Sequence, residues 1–117
     1  MNAAISVDAG APMHAHDFVV AHDHPALPGH FPGNPVVPGV LLLDQVLSLL
    51  EAAHGPLPKL RLPQVKFLQP LLPGQQARVE VMLRGPGSWR FRVMRGETLL
   101  ASGDIAMAGI DNRGTLA

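Results

Sequence analysis

His30 stands between Gly29 and Phe31 in a loop that also carries Pro28, Pro32, Pro35, Pro38, Gly33 and Gly39. Fourteen positions later Asp44 follows the apolar run Val40-Leu41-Leu42-Leu43 and is itself followed, after Gln45, by Val46 and Leu47. An imidazole on a stiff loop and a carboxylate among aliphatic side chains are the parts of an acid–base site. Loss of hydration between Leu43 and Val46 is expected to raise the pKa of Asp44, so that part of it stays protonated and can donate. A neutral imidazole near its own pKa accepts a proton. Environments that push two titratable groups apart assign one as acid and the other as base. Gly39 and Val40 bring backbone N–H groups to a helix start, where they and the helix dipole can stabilise an oxyanion. Gly39 also admits a ligand close to the backbone. Such a set is equipped to remove a proton next to a carbonyl while protonating a leaving group nearby.

Each part alone has an ordinary reading. A histidine beside phenylalanine usually packs and hydrogen-bonds, an aspartate on a helix is usually solvated, and a proline-rich loop can be a rigid connector. The functional reading rests on the combination, and the elements must bring the parts together. Five prolines from Pro25 to Pro38 fix φ repeatedly between His22 and Gly39, which lowers the entropy lost when this loop is ordered. Pro38 suits a first helical turn, and Gly55-Pro56 a helix stop, so a helix is expected to about Ala53. Val40, Leu43, Leu47 and Leu50 form an apolar stripe, thickened by Leu42, Val46 and Leu49. Asp44, Ser48 and Glu51 share a second face. The N-terminal half is apolar nearly all round, which predicts a helix enclosed by the rest of the protein.

Strand periodicity surrounds this helix. Asp17 to Ala21 reads as a short strand, and Leu60 to Gln69 as another, with Pro63 marking a bulge or an edge. Ala77, Val79, Val81 and Leu83 alternate with polar residues, as do Trp89, Phe91 and Val93. Leu99, Ala101, Gly103, Ile105 and Met107 are expected on one face of a last strand. The pattern is α+β: one long central helix covered by a curved antiparallel sheet, with the four strands after the helix forming a meander. All 117 residues form one domain by length, with residues 1–16 and 109–117 expected as loose termini.

Composition removes several classes. Hydrophobic residues make up 47% and charged residues 15%, a low charge content that predicts apolar surface buried against another copy. The net charge is zero, so no overall field draws nucleic acid. The absence of cysteine excludes disulfides and thiol nucleophiles. The N-terminal residues lack the pattern of a signal peptide, and apolar runs such as Val40 to Leu43 are far too short to span a bilayer. A cytoplasmic protein is expected. His14, His16, His22 and His24 include His-x-His pairs, but their spacing fits no closed ligand set and no metal is expected. Arg84, Arg90, Arg92, Arg95, Lys59, Arg61 and Lys66 can dock an acidic partner, although most read better as a solvated strand face. Ser48, Ser88 and Ser102 lie in no nucleophile elbow.

The segment from His30 to Val40, His-Phe-Pro-Gly-Asn-Pro-Val-Val-Pro-Gly-Val, with Asp44 at its spacing, resembles the hot-dog-fold 3-hydroxyacyl-ACP dehydratases. Val65 to Gly74 resembles the strand and Pro-Gly turn that follow their helix, and the likeness runs from residue 17 to 108. It implies a homodimer or higher homo-oligomer with composite active sites, His30 from one subunit and Asp44 from the other. It maps the base to His30, the acid to Asp44 and the thioester-carbonyl contact to the backbone of Gly39 with Val40. It places Phe31, Pro38, Leu43 and Phe67 along a substrate tunnel. It implies no metal or diffusible cofactor, the substrate arriving on the 4'-phosphopantetheine arm of an acyl carrier protein. Plain dehydratases of this kind usually carry Glu at the position of Asp44; Asp marks a branch that also isomerises the double bond. The Gly33-Asn34-Pro35 loop and short chain look more like the small dehydratases of aryl-polyene or xanthomonadin-type pathways. Two rivals remain: a hot-dog acyl thioesterase, which does not need His30, and a non-catalytic acyl-carrier-binding or assembly module.

Overall fold

Helix α1 (Gly39–His54) begins where the prolines stop. Pro38 is its N-cap residue, in extended conformation with no side chain capping the first turn, so Gly39 rather than Pro38 is the first helical residue. At the other end Gly55 takes a positive φ of 79° and its N–H donates to the Glu51 carbonyl at 2.7 Å. That is a left-handed stop that glycine allows without a Cβ clash. The computed structural model describes residues 14–25, 27, 36–57 and 59–108. The strands are β1 (His14–Val19), β2 (Leu60–Phe67), β3 (Gln76–Gly85), β4 (Ser88–Arg95) and β5 (Thr98–Met107).

All five strands pair antiparallel in one curved sheet of order β1-β3-β4-β5-β2. This corrects the expected meander. Only β3, β4 and β5 follow one another as hairpins; β2 crosses to the far edge and pairs with β5. The free edge of β3 is taken by β1, which starts at His14, three residues before the expected Asp17. Helix α1 packs over β3 and β1, and the chain after it joins the opposite edge of the sheet as β2.

The core lies between α1 and the inner face of the sheet. Leu42, Val46 and Leu50, one residue per turn, are buried against Val79, Val81, Phe91, Val93, Ala101 and Ile105. Only that stripe of α1 is buried. Val40 is 61% exposed and Asp44 is exposed, so the helix is not enclosed within a single chain as its composition predicts. Two strands also depart from strict alternation. Leu83, on the alternating face of β3, is exposed rather than buried. In β5 the register shifts opposite Val93 and Met94, so that Leu100 as well as Ala101 is buried and Leu99 leaves the expected face. The irregularity expected at Pro63 is a register shift between Arg61 and Gln64 on the edge strand β2.

The outer face of the sheet carries charge. Arg92 reaches one Glu80 oxygen with Nη2 at 2.6 Å and Nε at 3.0 Å, and Arg78 approaches the other oxygen at 3.4 Å. Arg90 and Arg84 lie 3.6 and 3.8 Å from Asp104. These arginines therefore balance acids on their own strand or on other strands of the same face, as the solvated-face reading expects. No described helix is long and apolar enough to cross a membrane.

Candidate active site

The start of α1 forms the wall of a cavity of about 430 Å³. Val36 to Gly39 and Leu42 line one side; Phe67 to Leu71, the end of β2 and the turn beyond it, line the other. One backbone bond joins these sides, and a second fixes the end of β2 to β5. Val37 N–H donates to the Leu71 carbonyl at 2.9 Å, and Leu68 N–H donates to Leu100 at 2.8 Å. The cavity therefore depends on the crossing of β2 to β5, which brings Phe67 beside the helix start.

The N–H of Leu41 folds back to the Pro38 carbonyl at 3.0 Å. The N–H groups of Gly39 and Val40 have no partner among the described residues, as the first turn of a helix dictates. A side chain at Gly39 would displace the ring beside it. A Cβ built on it would stand 2.7 Å from Cζ and 2.8 Å from Cε1 of Phe67. Phe67 is itself 54% exposed, so its ring rests over the glycine without being locked into the core. A free amide, a close approach and an apolar wall suit an acyl carbonyl held beside apolar groups.

Asp44 points elsewhere. Five residues on from Gly39, it leaves the helix about 140° round the axis. It lines a second, open groove of about 590 Å³ with Leu47, Ser48, Glu51, Leu57 and Leu60. Its side chain is exposed, so the burial expected to favour its protonated form is not supplied by its own chain. The structure thus brings together Pro38, Gly39 and Phe67, three of the expected site residues, in one cavity. Val40 stands beside them, exposed; Leu43 is half-buried on the flank. Asp44 belongs to a different surface. His30 and Phe31 lie outside the described residues.

Sequence reasoning named Phe67 for the tunnel but gave no role to Val36, Val37 and Leu71, which close the cavity. Their signal was the Pro-Leu-Leu-Pro-Gly turn after β2, which folds back on the segment before the helix. The His-x-His pair of β1 also finds a structural place. His16 Nε2 lies 3.1 Å from Gln45 Oε1, and the His14 ring meets the His54 ring edge-on at 5.7 Å, so both tie β1 to α1.

A family model for ApeI dehydratase, ApeI-like, matches residues 8–104. The 3-hydroxyacyl-[acyl-carrier-protein] dehydratase FabZ of Symbiobacterium thermophilum is 36% identical over 105 residues, covering 79% of this chain and 73% of that one. FabZ of Thermomicrobium roseum is 33% identical over 104 residues, covering 79% and 70%. Among solved structures, the dehydratase heterocomplex ApeI:P from Xenorhabdus doucetiae superposes with a TM-score of 0.68 at 22% identity, covering 82% of this chain and 96% of that one. A mutant of the fluoroacetyl-CoA-specific thioesterase FlK superposes at 0.57 and 21% identity, covering 79% and 85%. At those identities the two structures speak for the shared fold. The match across residues 8–104 and the FabZ relatives carry more: the chain belongs to the ApeI-like family and, with it, to the hot-dog-fold 3-hydroxyacyl-ACP dehydratases.

Proposed function

We propose that this chain dehydrates a 3-hydroxyacyl thioester, presented by an acyl carrier protein, to the trans-2-enoyl thioester at a site shared between two copies. In the proposed mechanism His30 takes the C2 proton on an imidazole nitrogen. The C2–H electron pair moves into the new C2–C3 double bond. The C3–O bond breaks, and Asp44 of the second copy gives its proton to the departing hydroxyl, which leaves as water. The Gly39 N–H binds the thioester oxygen while negative charge gathers there. A proton passing from imidazole to carboxylate restores both groups. The reaction is redox-neutral, and we assign it no cofactor beyond the phosphopantetheine arm of the carrier.

The observation that carries this reading is the start of α1. Gly39, whose amide has no partner among the described residues, lines an apolar cavity, and the group resting over its α-carbon is the exposed ring of Phe67, which can swing aside for a thioester. The ApeI-like match supports a place in specialised polyene synthesis. Hydration of an enoyl thioester, followed by loss of enoyl absorbance, tests the assignment. His30→Ala and Asp44→Asn are each expected to lower the rate at least a hundredfold, the range of a general acid or base. Near wild-type turnover in either variant overturns it, and release of free thiol without hydration points to a thioesterase.

A further inference from the structure

The face of α1 that carries Asp44 continues with Ser48 and Glu51, and the groove they line is walled by Leu47, Leu57 and Leu60. These three polar groups leave the helix within about 60° of one another, one and two turns apart. They share neither the core nor the outer ion pairs of the sheet. Glu51 makes no hydrogen bond or ion pair through its side chain among the described residues. The leucines suit a hydrocarbon chain and the glutamate does not, unless the chain brings it a donor. A plain alkyl chain laid here would strip water from a carboxylate and return nothing. A chain ending in a hydroxyl would return a charge-assisted hydrogen bond.

Length fixes where that donor must lie. Seven residues of helix separate Asp44 from Glu51, on the order of 10 Å, or roughly eight carbons of an extended chain. If Asp44 meets the hydroxyl at C3, as the proposed mechanism holds, the tail running down the groove meets Ser48 about midway and Glu51 near its end.

We propose that Glu51 is a specificity residue: the groove below Asp44 selects 3-hydroxyacyl thioesters whose chain carries a hydrogen-bond donor roughly eight carbons beyond C3. The inference rests on Asp44 serving as the acid of the dehydration. Its occupant is the acyl tail of the substrate, because the groove is continuous with that carboxyl.

Three 2-enoyl thioesters of equal length test it, ending in a methyl group, a hydroxyl or a carboxylate, with crotonyl thioester as a short reference. Hydration of each is measured with the wild-type protein, Glu51→Leu and Glu51→Gln. The wild type is expected to favour the hydroxyl end over the methyl end by about tenfold in kcat/KM and to disfavour the carboxylate, which meets a like charge. Glu51→Leu is expected to reverse the hydroxyl-to-methyl ratio. Glu51→Gln, which keeps an acceptor, is expected to retain much of the hydroxyl preference and to tolerate the carboxylate. Ratios within one protein sample are insensitive to a loss of folded material. Identical ratios in all three proteins, with crotonyl thioester still hydrated, overturn the proposal and leave the dehydratase assignment standing. Failure of the wild type to hydrate any of the four overturns that assignment, and the proposal with it.

Discussion

Two glycines of this chain show how differently one added methyl group is tolerated. At Gly39 the new Cβ would meet the ring of Phe67, a side chain more than half exposed and free to swing outward. Gly39→Ala should therefore change unfolding free energy by less than about 1 kcal/mol, yet slow hydration at least tenfold, because the displaced ring and the methyl crowd the amides the thioester must reach. A chemical melt and an enoyl hydration assay on the same sample check both halves, and an active variant refutes the role of Gly39. At Gly103 the Cβ would collide with the backbone carbonyl of Gln64 and stand 2.7 and 2.8 Å from Cε2 and Cζ of Phe91, which is fully buried. Neither neighbour can move cheaply. Gly103→Ala should cost about 2–3 kcal/mol and lower the urea midpoint accordingly; an unchanged midpoint would show that the β2–β5 edge yields more than its packing implies.

Helix α1 is the element on which fold and site meet, and its buried stripe is narrow. Leu50 is fully buried at the lower end of that stripe, so Leu50→Ala should cost about 3 kcal/mol in an unfolding titration. A cost below 1 kcal/mol would mean that the helix is loosely docked. The bounds of this helix were legible in the sequence, because Pro38, Gly55 and Pro56 act locally on φ and on the amide donors. Strands β3 and β4 were legible too, since alternation in Ala77, Val79 and Val81 or in Trp89, Phe91 and Val93 needs only a half-buried surface. The place of β2 was not. Nothing local in Leu60–Phe67 says which edge it joins; that is set by its pairing with β5, far along the chain. The face of Leu99 was misread for a similar reason, as a register shift between neighbouring strands leaves no mark on a periodic pattern.

At the scale of the molecule, the chemistry legible in Gly39 and Asp44 is divided by geometry. Gly39 lines one cavity and Asp44 another groove, so a single chain does not turn its free helix-start amide and its carboxyl toward one ligand. Sequence reasoning expected Asp44 to lose its hydration among leucines, and in one chain it keeps it. Val40, Phe67, Leu68 and Leu72 are exposed as well, an apolar patch round the helix start that a solitary protein of so little charge would have to leave in water. A second copy resolves both if it covers the patch and brings its Asp44 to the amides of Gly39. That arrangement makes a prediction no single-chain site shares. Inactive His30→Ala and inactive Asp44→Asn, mixed in equal amounts, unfolded and refolded together, should regain activity. In a twofold dimer half of the assemblies pair one of each variant, and one of their two sites then holds an intact His30 and an intact Asp44, so about a quarter of wild-type activity is expected. Each variant refolded alone is the control and should stay inactive. A mixture that remains at the level of its parents, while size-exclusion chromatography shows that the two chains have paired, would mean that each site draws both residues from one chain. The acid then would have to reach the cavity round the helix rather than across an interface.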